Sequence, residues 1–147
     1  MQLGINYRGS SLAREENNSS SKVHAGDRAP DVPCSTPIGT STRLFDVFRG
    51  PHFTLLAFGP SQGPAVTVLN QRYGSVVYAH SVLRANESTG TAPLSASLFD
   101  TDGHAHRAYD ANDGMLILVR PDGYVGFIAH SHSINSVHTY LDYLIAQ

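Results

Sequence analysis

The chain has 147 residues, a net charge of −2, and 15% charged against 41% hydrophobic residues. That length suffices for one domain with a sizeable core. Its ten cations, Lys22 and scattered arginines, form no cluster of the kind that nucleic acid or an anionic membrane needs, so neither is expected as a partner.

The first residues, MQLGINYRGSSLAREENN, have no apolar core behind a basic start and do not read as a signal peptide. No run approaches the ~20 apolar residues of a membrane helix. The sequons at Asn18 and Asn86 then read as chance matches. Residues 1–12 are too short to fold alone and look like the tail of a preceding unit or a strand that pairs with something elsewhere. Residues 10–24 are polar and poor in large apolar groups, which predicts a linker over 13–24. One compact domain is expected over 25–147.

Within it, LFDVF (44–48) reads as one helical turn or a short strand. HFTLLAFG (52–59) is a continuous apolar run closed by Gly59 and Pro60, the pattern of a strand buried on both faces. Residues 64–73 predict a helix opened by Pro64, with Val66, Leu69 and Tyr73 on one face and Gly74 at its stop. SVVYAHSVL (75–83) reads as a strand, 84–97 as a loop, and 104–112 as a short helix. Residues 115–130 predict two strands around a Pro121-Asp122-Gly123 turn. A final helix is expected from a Ser133 cap, with Ile134, Val137, Leu141, Leu144 and Ile145 on its apolar face. The order β-α-β, connection, β-β-α describes an α/β, thioredoxin-like fold: a central mixed sheet with flanking helices and a C-terminal helix packed on it.

That fold raises thiol chemistry, which needs a cysteine at the helix N-terminus, where the dipole lowers its pKa. The loop there, residues 59–65, contains none, and Ser61 is a poor substitute. Cys34 is the only cysteine. It excludes an internal disulfide, a cysteine zinc cage and a CxxC pair, and it fits a reducing, cytoplasmic compartment. On a strand, His104 with His106, or His130 with His132, would share a face and could chelate, with Asp100, Asp102 or His138 as third-ligand candidates. The bland reading, histidines in turns facing solvent, is favoured. There is no GxSxG, GxxxxGK[ST] or GxGxxG. Gly26-Asp27-Arg28-Ala29-Pro30 reads as a turn opening the domain. Arg120 belongs first to a hairpin turn and second to an anion or interface contact. No catalytic, cofactor-binding or metal-binding residue is assigned.

Four strings taken together, INYRGSSL (5–12), HAGDRAPDVP (24–33), TRLFDVFRGPHFTLLAFG (42–59) and LILVRPDGYVGF (116–127), closely resemble the C-terminal domain of flavin-dependent aromatic-ring hydroxylases. These are the FAD monooxygenases of the phenol hydroxylase, pentachlorophenol monooxygenase and polyketide hydroxylase group. The resemblance implies a thioredoxin-like domain without CxxC that follows FAD and substrate domains. Its role there is structural, with contacts to those domains or between subunits. It implies no FAD residue in this chain, since the family's flavin motifs belong to the preceding domains. The expected function is therefore non-catalytic, with a homodimer or a flavin monooxygenase as partner. The alternative is an independent redox protein using Cys34, since GDRAPDVP also resembles the opening of peroxiredoxins.

Overall fold

The protein is described here by a computed structural model, over residues 14–15, 23–74, 76–87, 93–129, 138–139 and 141–142. In chain order it forms β1 (Arg14–Glu15), β2 (Pro33–Ser35), β3 (Ser41–Arg43), α1 (Leu44–Phe48) and β4 (Phe53–Phe58). A 3-10 turn, Pro60–Gln62, leads into α2 (Gly63–Tyr73) and β5 (Val77–Arg84). A second 3-10 turn, Leu94–Ala96, precedes β6 (Ser97–Asp100), α3 (His104–Ala108), β7 (Leu116–Val119) and β8 (Val125–Ala129). The strands make one mixed sheet in the order β1-β8-β7-β4-β5-β6-β2-β3. β4, β5 and β6 run parallel; β7 is antiparallel to both β4 and β8. The α/β, thioredoxin-like expectation is met.

The continuous apolar runs are explained by burial on two sides. Leu56 and Phe58 of β4 join Ile117 and Val119 of β7 in a core shared with Leu44 and Phe48 of α1 and with Tyr109. Leu55 and Ala57 join Leu116 and Leu118 in the opposite core, under Val66, Leu69 and Tyr73 of α2. In β8 the alternation breaks, because Val125 packs in the first core while Phe127 packs in the second. The register shift between Leu118 and Val119 is the cause: Leu118 faces Phe127, whereas Val119 already faces Val125. Gly126 is the extra residue of a bulge. α2 is tied to β5 by the Asn70 amide, which accepts from Ala79 N–H at 2.9 Å and donates to Ala79 C=O at 3.0 Å. That contact supplies partners to a backbone pair that β6, starting two residues later, does not reach.

Several expectations change. The stretch 13–24, expected as linker, contributes strand β1, parallel to β8, and one core side chain, Val23. The loop expected over 84–97 gives Arg84 to β5 and Ser97 to β6. β6 is four residues long and alternates too briefly to declare itself. The helix expected over 104–112 stops at Ala108, since Asp110 turns at φ 51 and its neighbours head back to β7. LFDVF resolves as helix. Of the final helix, positions 138, 139, 141 and 142 are helical, and Leu141 is buried in the second core. Ser133, Ile134, Val137, Leu144 and Ile145 lie outside the described residues. Among the described residues, no helix is long and apolar enough to cross a membrane.

Candidate functional site

The loop between β4 and α2 is the place where this fold would carry a thiol, and here the chain's own groups close it. Gly59 has φ 88 and ψ 169, a conformation open essentially to glycine alone. A Cβ there would fall 1.9 Å from Asp113 Oδ1. The same Oδ1 accepts the Ser61 hydroxyl at 3.0 Å and the Ser61 N–H at 3.4 Å. Beside it, buried Gln62 donates to Gly114 C=O at 3.0 Å. The backbone bonds Gly114 N–H to Phe58 C=O and Phe58 N–H to Met115 C=O complete the clasp. An internal carboxylate therefore engages the hydroxyl and N–H of Ser61 in the turn that leads into α2.

Cys34 is elsewhere. It lies in the middle of β2, two strands beyond β5 in the sheet, and is buried. Burial first, then the charges of Asp100 and Asp31, push its thiol up to about 11. A reactive thiol requires the opposite shift.

His104 and His106 fall on α3, not on a strand. Two residues apart on a helix point about 200° apart, so the pair cannot share a face. His104 is exposed, with Nδ1 3.3 Å from Arg107 Nη2. His106 is buried, its Nδ1–H donating to Asp100 at 2.7 Å, its ring edge-on to Phe58. Asp100 also accepts the N–H groups of Ala105 and His106 at 3.0 and 2.8 Å, and so anchors the start of α3. Burial alone would raise the Asp100 carboxyl, but these three hydrogen bonds prevail and hold it below the usual range. Asp102 is exposed. His138 Nδ1 lies 3.2 Å from the Tyr73 hydroxyl, which donates to Asp142 at 2.7 Å. His130 and His132 lie outside the described residues. Among the described residues, no three metal-ligating side chains converge.

What the structure does bring together are three of the sequence strings. The segment 26–29 runs back along the β7–β8 turn: Gly26 N–H bonds Val125 C=O, Val125 N–H bonds Asp27 C=O, and Ala29 N–H bonds Gly123 C=O. Gly26 takes φ 95, and Asp27 accepts His24 N–H, as expected of a domain-opening turn. Asp31 takes Arg43 Nε at 2.8 Å on one oxygen and Phe45 N–H at 3.0 Å on the other, which seats α1 beside the turn. The turn itself closes through Gly123 N–H to Arg120 C=O, with Gly123 at φ 87. Arg120 is fully buried; its Nε and Nη2 lie 3.3 Å from the Asp122 carboxylate, and its Nη1 donates to Val125 C=O. Tyr124 is flanked by two guanidinium carbons, Arg120 at 5.7 Å and Arg28 at 5.8 Å. Arg28 also lies over the Phe45 ring at 5.5 Å. A cavity of about 200 Å³ opens here, with Arg28, Phe45, Phe48, Pro121 and Asp122 among its walls. Turn chemistry was legible at both strings; their convergence on one aromatic and cationic cleft was not, since nothing local links position 28 to 45 or 124.

Comparisons with known proteins place the chain in a family. The family described as "Aromatic-ring hydroxylase, C-terminal" matches residues 22–146. A flavin-dependent monooxygenase of Mycobacteroides abscessus is 34% identical over 143 residues, which cover 97% of this chain and 22% of that protein. The chain thus spans about a fifth of the length of this curated relative. Among solved structures, aklavinone-11 hydroxylase, crystallised with FAD and aklavinone, superposes with a TM-score of 0.60 at 24% identity over 80% of this chain and 20% of that one. A thiol:disulfide interchange protein DsbE from Chlorobium tepidum, described as putative, gives 0.68 at 16% identity over 82% and 96%. Both likenesses show the fold alone.

Proposed function

The chain belongs to the family of aromatic-ring hydroxylase C-terminal domains, and from that premise we propose that it is a non-catalytic accessory domain that docks on the FAD- and substrate-binding body of a flavin-dependent monooxygenase. The observation that carries this reading is the closed β4–α2 loop. The position that serves thiol chemistry in this fold holds Ser61 and Gln62, both engaged by the Asp113–Gly114 segment. Cys34 lies strands away, with its thiol held in the neutral form. Each fact weighs against the alternative of a redox protein using Cys34.

FAD is bound in the solved relative, and in this reading none of this chain's residues is given a role toward it. A flavin pyrophosphate needs free backbone N–H groups at a helix start. In the turn ahead of α2, the Ser61 N–H faces the Asp113 carboxylate. No step of flavin chemistry is therefore assigned to these residues.

Self-association has an observation of its own. Ile38 and Leu94 are 88% and 55% exposed and flank an apolar cleft beside the sheet edge at β3. Apolar surface of this kind favours burial between copies.

The test is co-expression of the tagged chain with the part of the Mycobacteroides abscessus monooxygenase that precedes the matched region. Flavin absorbance should co-elute with the tag when both are present and be missing when the chain is purified alone. Flavin bound stoichiometrically to the chain alone would overturn the non-catalytic reading, and failure of the two parts to co-elute would overturn docking. Sedimentation showing only monomer at high concentration would remove self-association.

A further inference from the structure

We propose that Arg28 is the anchor of that docking, its guanidinium receiving an aspartate or glutamate carboxylate of the monooxygenase body in the cleft between α1 and the β7–β8 turn. The proposal rests on the accessory-domain reading and adds the residue and the chemistry of the contact.

The pattern of ion pairs around the cleft singles Arg28 out. Arg43 is paired with Asp31 at 2.8 Å, Arg49 with Asp46 at 2.8 Å, and Arg120 with Asp122 at 3.3 Å. Arg28 has no carboxylate within 4 Å among the described residues, and it is exposed. The acids nearest to it in sequence are used elsewhere. Asp27 accepts His24 N–H, and Asp31 spends both oxygens on Arg43 and Phe45. Asp122, on the cleft wall, faces Arg120 and accepts Tyr124 N–H. Arg28 is the arginine on the cleft wall without a carboxylate partner among the described residues.

Arg28 is also held ready. Its backbone pairs with Tyr124, and its guanidinium carbon lies 5.5 Å from the Phe45 ring centre and 5.8 Å from that of Tyr124. Both rings are themselves exposed, at 38% and 36%. A guanidinium in contact with two rings has less rotamer freedom to lose on pairing, and its planar fork of donors suits a bidentate carboxylate. Aromatic rings around an arginine are the composition of an interface anchor. When a partner covers Phe45 and Tyr124, water leaves the cleft, and the unpaired Arg28 guanidinium then requires an anion beside it.

Two measurements test this. In the first, the chain alone is titrated with sodium acetate, then with sodium chloride at equal ionic strength, while the Arg28 Nε–H and Gly123 amide resonances are followed. Acetate should give saturable shifts that chloride does not, and Arg28→Gln should abolish them. Equal responses to the two salts would overturn carboxylate recognition. In the second, the co-elution assay is run with Arg28→Glu, Arg28→Lys and, as a remote control, Arg84→Gln. Arg28→Glu should reduce co-eluting flavin about tenfold or more, Arg28→Lys should lose part, and the control should match the parent. Thermal melting of each variant confirms that it folds. Undiminished co-elution with Arg28→Glu overturns the anchor while docking stands. Absence of co-elution with the parent chain overturns docking itself, and the anchor with it.

Discussion

Asp113 occupies the space that any side chain at Gly59 would need, its Oδ1 standing 1.9 Å from where that Cβ would be. The contact joins two loops that are far apart in sequence and adjacent in the sheet. It also makes the helix-start loop a structural clasp, which is why chemistry is not sought there.

Gly59 and Gly123 therefore separate two costs. Their φ angles are alike, 88° and 87°, but a Cβ at Gly123 meets nothing within 4 Å. Gly123→Ala should cost only the strain of a positive φ, about 1 kcal/mol. Gly59→Ala adds a clash and a glycine-only ψ, so about 2–4 kcal/mol is expected. Asp113→Ala in the Gly59→Ala background should recover part of that loss, and urea denaturation of the four proteins gives the cycle.

Asp100 should confer a pH dependence. Its folded carboxyl lies below the usual range, so its stabilisation is present in full above the unfolded value, about 4. It is lost as pH falls from there through the folded value. Asp100→Ala should cost about 2–4 kcal/mol at pH 7, since three donors lose a buried acceptor. Asp100→Asn should flatten the decline of stability below pH ~4, measured by denaturant unfolding across pH.

Cys34 should behave in the opposite sense at high pH. Its folded thiol is raised to about 11, so the folded state holds the proton that the unfolded chain loses near 8.5. Stability from this group is complete below the unfolded value and is lost as pH rises through the folded one. Alkylation of the native protein at pH 8 should be far slower than of the unfolded chain, and Cys34→Ala should remove this part of the alkaline decline. Rapid native alkylation would reopen the redox reading.

Arg120 and Arg49 should differ although both pair with an aspartate two or three residues away. Arg120 is fully buried, whereas the Arg49 side chain is 78% exposed. Arg120→Ala strips a buried guanidinium from its carbonyl and carboxylate partners and should cost about 2–4 kcal/mol. Arg49→Ala breaks a solvated pair and should fall within about 0.5 kcal/mol of the parent. Thermal melts of the two variants give the comparison.

The sequence by itself determined the elements whose patterns are long or chemically explicit. β4 and β7 were visible as unbroken apolar runs, α2 as a periodic face behind Pro64, and the β7–β8 hairpin as Asp122-Gly123. The four strings placed the chain in its family, and the missing cysteine at residues 59–65 removed thiol chemistry from that loop. Only the tertiary structure decided what depends on distant partners. β1, β2, β3 and β6 are two to four residues long, so their identity lies in the ladder they join. His104 and His106 were separated by α3, a helix held by Asp100 from the preceding strand. The cleft around Arg28 exists because residues 26–29, 45 and 124 meet beside the β7–β8 turn. A hydrophobic period is a local property that a chain displays in its letters; an unpaired guanidinium is a property of everything around it, and it appears only when the nearby carboxylates have taken their places.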